Sequence, residues 1–363
     1  MREIVELNAE TKDETSAAVA SVLAIQGRKV EMPTRIPTSS EVRAAKATKL
    51  AEAIESPVLV VGRLVSPDLV KGATKEEDVW RRFADGVGRD AKSLPGAAKV
   101  LQLAFRDVTY EDPEPLRAFL DLQMLHDFAA ITVQYGSSPS PEDLVTAFDF
   151  AKSWAKKRKI DTTLMPVMPA LPNRDAARAL LDALKKRGAR AIGVDMPRSL
   201  PYQAMRAVEG FKEKSPEVWI HAFQVPPKVQ FGGRLHTSQA MVLPYFGVDS
   251  MSRWVVPPPP APVVKDKVNV FEPAGWGVFK WREYEAEYGS KLRCRCSYCR
   301  GKDLEAFFAP DDRFVLNAGK VHDHLAQSME FAAARKRIGD DGYAGVMAAK
   351  RHGKPFLESI PEG

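Results

Sequence analysis

The sequence predicts an α/β protein: a (β/α)8 TIM barrel with a small cysteine-bearing subdomain inserted before its last helix. Three observations predict it. Between about residues 100 and 250, short β-branched apolar runs alternate with helical patterns across short loops, as parallel strands with crossover helices do. The units number about eight, which favours a closed barrel over an open sheet. Then the run Pro257-Pro258-Pro259-Pro260-Ala261-Pro262 breaks the pattern, and all three cysteines follow within six residues, Cys294-Arg295-Cys296-Ser297-Tyr298-Cys299.

Each element has its own signal. Residues 1–30 read as a lead-in with a first short strand in the apolar stretch 16–25, and Val30-Glu31-Met32-Pro33 as a strand end. Ser39 or Ser40 caps a helix running to about Glu55. Residues 57–62 form a buried-type strand stopped by glycine. Residues 75–86 read as helix, 87–100, with Gly and Pro, as loop, and 100–105 as strand. Helices follow at 112–126, 141–159, 173–187 and 201–212, alternating with strands at 128–133, 163–168, 189–194 and 217–223. A short helix at 237–245 precedes the strand-like step Gly247-Val248-Asp249-Ser250. The proline run is a stiff spacer, and 322–338 is the closing helix. The expected domains are the barrel over 1–256, spacer and cysteine unit over 257–321, and closing helix and tail over 322–363. No Gly-x-Gly-x-x-Gly follows any strand, so the dinucleotide signature of an open doubly wound sheet is absent.

Composition narrows the class. The chain has 363 residues, 45% hydrophobic and 28% charged, so it can bury a large core. It begins Met1-Arg2-Glu3-Ile4-Val5-Glu6, with no apolar core of a secretory signal. No apolar run approaches the ~20 residues that span a bilayer, so a soluble cytoplasmic protein is expected. Net charge is +6 with a pI near 9.0, compatible with a nucleic-acid partner. The basic clusters at 156–159 and 185–187 fall at helix carboxyl ends, where cations complement the helix dipole. Lys291, Arg293, Arg295, Arg300 and Lys302 around the cysteines have no such reason and suit phosphate contacts.

Cys294, Cys296 and Cys299, with His322 and His324 about two dozen residues on, supply three thiolates and one imidazole. That is a closed tetrahedral set for structural Zn2+. An iron–sulfur cluster wants a fourth cysteine, and a disulfide would leave one thiol over.

A barrel carrying Cys-x-Cys-x-x-Cys…His near its carboxyl end resembles the tRNA-guanine transglycosylase superfamily. Other stretches are similar to it: residues 30–37 to its first strand, Val58 to Arg63 to its second, Arg190-Ala191-Ile192-Gly193 to its glycine-bearing strand, and Trp219-Ile220-His221-Ala222-Phe223 to the next. Phe246-Gly247-Val248-Asp249-Ser250 resembles the strand carrying its nucleophile. The resemblance implies base exchange. A carboxylate attacks the anomeric carbon, guanine leaves, and a 7-deazaguanine takes its place with configuration retained. It makes Asp249 the candidate nucleophile, at the carboxyl end of a strand; a register shift of three puts Ser252 there, and a cap or turn aspartate is the plainer alternative. It also makes His322, before Asp323, the fourth metal ligand in preference to His324.

The pocket departs from the family. Lys92 to Ala98 stands for an Asp-Ser-Gly-Gly loop, Gln134 for a base-reading aspartate, and Gly193-Val194-Asp195-Met196 for a leucine-rich glycine loop. Gln134, Gly193, Asp195 and His221 are therefore the expected base-binding residues. Asp195 alternatively caps a helix, and His221 alternatively fills the core. Trp254, Tyr245 and Phe246 either stack on a base that has left its helix or pack inside. Such drift resembles the phage and bacterial branch that modifies DNA (deoxypurine-in-DNA protein A). The expected partners are then DNA, in preference to tRNA, and a base such as 7-cyano-7-deazaguanine, in a host cytoplasm if phage-encoded. A tRNA enzyme, a non-catalytic nucleic-acid-binding subunit, and a homodimer all remain open.

Overall fold

The computed structural model describes residues 5–13, 16–75, 78–108, 110, 113–169, 171, 173–196, 200–229, 236–253, 268–309 and 311–360. The expectations placed on the helix start at 112, on Trp254 and on the proline run at 257–262 lie outside these residues.

The chain opens with a three-stranded antiparallel sheet, β1 (Glu6–Lys12), β2 (Val19–Ile25) and β3 (Arg28–Met32). This corrects the expected lead-in with one strand. Residues 30–37 do not form a single strand either. They divide between β3 and β4 (Thr34–Arg35), which belongs to a different sheet.

That second sheet holds β4, β5 (Val58–Val65), β6 (Ala98–Phe105), β7 (Ala130–Val133), β8 (Thr163–Pro169), β9 (Ala191–Asp195), β10 (Trp219–Val225) and β11 (Ser250–Arg253). Its order is β4-β11-β10-β9-β8-β7-β6-β5, and every neighbouring pair is parallel. It is a curled sheet flanked by helices. Outward side chains such as Leu59, Leu101, Ile131 and Ile220 pack under the helices. Inward ones, Val58, Val60, Val100, Met165, Val167, Trp219 and Phe223, share a cluster with Leu7, Leu23, Val30 and Met32. Val5 N donates to Thr163 Oγ1 at 2.9 Å. Because these contacts involve the first residues of the strands, the small antiparallel sheet covers the amino-terminal end of the large one.

Local chemistry fixes the helices. Thr38, not Ser39 or Ser40, caps the helix Ser39–Ala47: its hydroxyl accepts from Glu41 N at 3.3 Å and its own N–H donates to the Glu41 carboxylate at 2.8 Å. The helix stops at Ala47, short of Glu55. A helix at Pro67–Lys75 was not expected, and Asp78–Ala91 runs through the start of the expected loop at 87–100. Gly88 looks like a breaker there but is a packing position, since a Cβ on it would lie 2.7 Å from the His126 ring.

Past the large sheet come the hairpin β12 (Asn269–Glu272) and β13 (Gly277–Lys280), then short helices Trp281–Tyr288 and Leu304–Phe308. The long helix Asp312–Arg335 starts well before residue 322; Asp311 caps it and it packs on Ser39–Ala47 and β4. Among the described residues no helix is long and apolar enough to cross a membrane.

Candidate metal centre and sheet mouth

The cysteine unit converges on one residue of the long helix. Ligand atoms of Cys294, Cys296, Cys299 and His322 lie within 4.8 Å of one another, all buried. His322 Nδ1 is 3.1 Å from Cys299 Sγ and 3.6 Å from Cys296 Sγ. Tetrahedral bonds of ~2.3 Å to sulfur and ~2.0 Å to nitrogen give an S···N edge of about 3.5 Å. These four residues could therefore hold a metal ion such as zinc. His322 Nε2 lies 2.7 Å from the Phe271 carbonyl, so that nitrogen carries the proton and Nδ1 is left for the metal. His324 is not in the group. It is buried beside Glu41 and Arg35, and burial pushes its pKa down to about 4.

The helix that brings His322 also reaches the large sheet. Asp323 Oδ2 accepts from Arg253 Nη1 at 3.0 Å, and Oδ1 accepts from Phe271 N at 3.1 Å. Gln327 Oε1 accepts from Arg35 Nη1 at 2.5 Å, while Arg35 also pairs with Glu41. Arg253 and Arg35 are the last residues of neighbouring parallel strands.

Asp249 is not at that end. It immediately precedes β11, so it lies at the amino-terminal end of the sheet, which corrects its expected place. Its Oδ2 accepts from Lys212 Nζ and from Ile220 N, each at 2.7 Å. Lys212 Nζ donates further to the carbonyls of Pro216 at 3.0 Å and Val218 at 2.8 Å. Both side chains are buried. Burial raises the Asp249 pKa against the pull of Lys212, and burial lowers that of Lys212. This is an ion pair tying the helix Tyr202–Lys214 to two strands. Phe246 is buried in the same region, against the Tyr202 ring. Lys92 to Ala98 also lies at the amino-terminal end, leading into the first residue of β6.

The other expected residues divide into fillers and one half-buried carboxylate. Gln134 Oε1 accepts from Leu103 N at 3.0 Å, and Nε2 donates to Leu101 O at 3.3 Å and Thr132 Oγ1 at 3.0 Å. These bonds patch the gap where β6 and β7 share a single paired position. Gly193 leaves room for Phe223, whose ring would lie 2.6 Å from a Cβ. His221 is a core histidine in a chain of hydroxyls. Trp219 Nε1 donates to Ser250 Oγ at 2.8 Å, and His221 Nδ1 lies 2.7 Å from that oxygen. His221 Nε2 is 3.2 Å from Ser252 Oγ, which reaches Gln102 Oε1 at 3.5 Å. The His221 ring and both hydroxyls are satisfied when Nε2 carries the proton. Burial holds the His221 pKa down at about 3, so the ring is neutral.

Asp195 is different. It ends β9 at the carboxyl-terminal mouth, half-buried, and its Oδ1 accepts from Gln224 Nε2 at 2.7 Å. Gln224 has φ 56, where the pairing of β10 with β11 shifts register between Ala222 and Val225. A bulge of this kind re-aims a side chain at a strand end. Burial pushes the Asp195 pKa up to about 6, against the Gln224 hydrogen bond. Sequence reasoning missed Gln224 and Lys212; nothing in the local pattern marks a bulge, and Lys212 reads as an ordinary helix-end cation. No protein-family model and no curated protein matches this sequence.

Proposed function

We propose that the chain exchanges a base in a nucleic acid, DNA in preference to tRNA, replacing guanine by a 7-deazaguanine such as 7-cyano-7-deazaguanine. The observation that carries this reading is Asp195, a carboxylate at the carboxyl end of a parallel strand, oriented by Gln224 at 2.7 Å. Such enzymes place their chemistry there. In this reading Asp195, not Asp249, is the nucleophile. One oxygen of its carboxylate bonds to C1′ as the C1′–N9 bond breaks, and guanine leaves with the electron pair and takes a proton from solvent. The incoming base gives its N9 proton to solvent, and its N9 bonds to C1′ as the C1′–carboxylate bond breaks, restoring the carboxylate with configuration retained.

The rest of the proposal follows from the same frame. The sheet closes as a (β/α)8 barrel, supported by the bridge between Thr38 and Val60 and the 2.9 Å bond from Val60 N to Pro37 O. The metal is structural zinc, in a reducing cytoplasm. The exposed Lys291, Arg293, Arg295 and Arg300 around it grip phosphates.

The nucleophile must be ionised, so exchange is expected to rise with pH through about 6 as Asp195 loses its proton. Its pKa is raised in the fold, so its stabilising contribution is full below the unfolded value and lost as pH rises through about 6. Asp195→Asn is accordingly expected to abolish exchange while gaining about 1–2 kcal/mol of stability at neutral pH. The test is incubation with labelled guanine and either DNA or tRNA. Label in DNA supports the preferred reading, label in tRNA alone moves the substrate, and label in neither defeats the enzyme.

A second reading has its own support. The position that the family resemblance gives to the nucleophile is held by a buried ion pair, as a non-catalytic nucleic-acid-binding subunit would allow. Binding of DNA without exchange would favour it.

A further inference from the structure

We propose that the rim of the sheet beside β4, β5 and β11 is a phosphate subsite, which holds a phosphodiester next to the nucleotide at the mouth. It rests on the reading above that a nucleic acid occupies that mouth.

The first argument is charge. Arg35 pairs with Glu41, Arg43 and Arg63 share Asp90, and Arg253 pairs with Asp323, which leaves Lys320 without an ion pair of its own among the described residues. Five cations thus meet three carboxylates. Among the described residues Lys320 Nζ bonds to the Ser40 hydroxyl alone, at 3.3 Å. A part-buried surplus of two positive charges is unfavourable unless an anion joins it, and a phosphate supplies that charge.

The second argument is unmet hydrogen bonding. Arg35 is 6% exposed, yet among the described residues its Nε has no partner, and neither has Arg63 Nε. Buried donors of this kind are rare.

The third is position. Arg35 and Arg253 end their strands, and the helix Ser39–Ala47 starts at the same rim with its first-turn N–H groups. Arg253 is the register partner of Val225, next to Gln224, which holds Asp195. Arg253 therefore sits two strands from the proposed nucleophile, with β10 between, and Arg35 three.

The test measures binding of a short fluorescein-labelled single-stranded oligodeoxynucleotide over a salt series. Lys320→Gln and Arg43→Gln are each expected to weaken binding by about tenfold and to reduce the slope of log affinity against log salt by about one, with melting temperature kept. Arg43 is 52% exposed, so its variant carries the test if Lys320→Gln does not fold. Unchanged affinity and slope in both variants overturn the subsite. If the wild type binds no oligonucleotide, the nucleic-acid reading falls on its own, and inorganic phosphate decides the subsite. A rise in melting temperature with phosphate that Arg43→Gln removes keeps the subsite; no rise in the wild type overturns it.

Discussion

Cys296→Ser is expected to strip the metal and lower the melting temperature by on the order of 10 °C. The variant leaves two thiols and one imidazole, too few for a closed tetrahedral site. The loss does not stay local. His322 Nε2 holds the Phe271 carbonyl, Asp323 holds the Phe271 amide, and the same carboxylate holds Arg253 at the mouth. The hairpin β12–β13 and the end of β11 are therefore fixed from one turn of one helix. Aromatic packing around the centre limits the damage, with Trp281 stacked on Phe308 at 4.8 Å and Tyr298 against Phe307 at 5.0 Å. Elemental analysis should find about one zinc per wild-type chain and none in the variant. His324→Ala is the control and should keep its metal, because His324 lies outside the ligand group. Full metal content and an unchanged melting temperature in Cys296→Ser would remove the metal centre.

The second large effect belongs to Asp249. Asp249→Asn is expected to cost about 3–5 kcal/mol, because it leaves the Lys212 ammonium buried without its counter-charge. Lys212→Met should cost a similar amount, and the double variant less than the sum of the two, since the charges vanish together. Urea unfolding of the three proteins checks this. A catalytic carboxylate at the mouth would behave in the opposite way, with activity lost and stability kept.

Why Asp249 misled the sequence reading is a matter of where one strand begins. Phe246-Gly247-Val248 looks like the apolar start of a strand. In the fold Phe246 ends a short 3-10 helix, Gly247 turns the chain at φ 82 against the Lys212 side chain, and β11 starts only at Ser250. A strand of four residues moves its carboxyl end to Arg253, on the far side from Asp249. The alternation of strands and helices from β6 onward was legible because each parallel strand is a short branched run with a helix behind it. The amino-terminal sheet was less legible: β1, Glu6–Lys12, carries mostly polar residues and gains its place by pairing with β2. The four ligands were legible because thiols and imidazole have few other reasons to cluster. The places of Gln134 and His221 were not, because they are polar residues that the fold uses to satisfy itself, and a sequence does not show which hydrogen bonds are internal.

The most direct measurement compares Asp195→Asn and Asp249→Asn side by side, reading uptake of labelled guanine into DNA per folded molecule together with unfolding free energy. Asp195→Asn should be folded, slightly stabilised and without exchange. Asp249→Asn should be strongly destabilised, yet exchange at the wild-type rate in the fraction that folds. Wild-type exchange by Asp195→Asn, or its loss in a fully stable Asp249→Asn, would contradict a reaction centred on the carboxyl-terminal mouth.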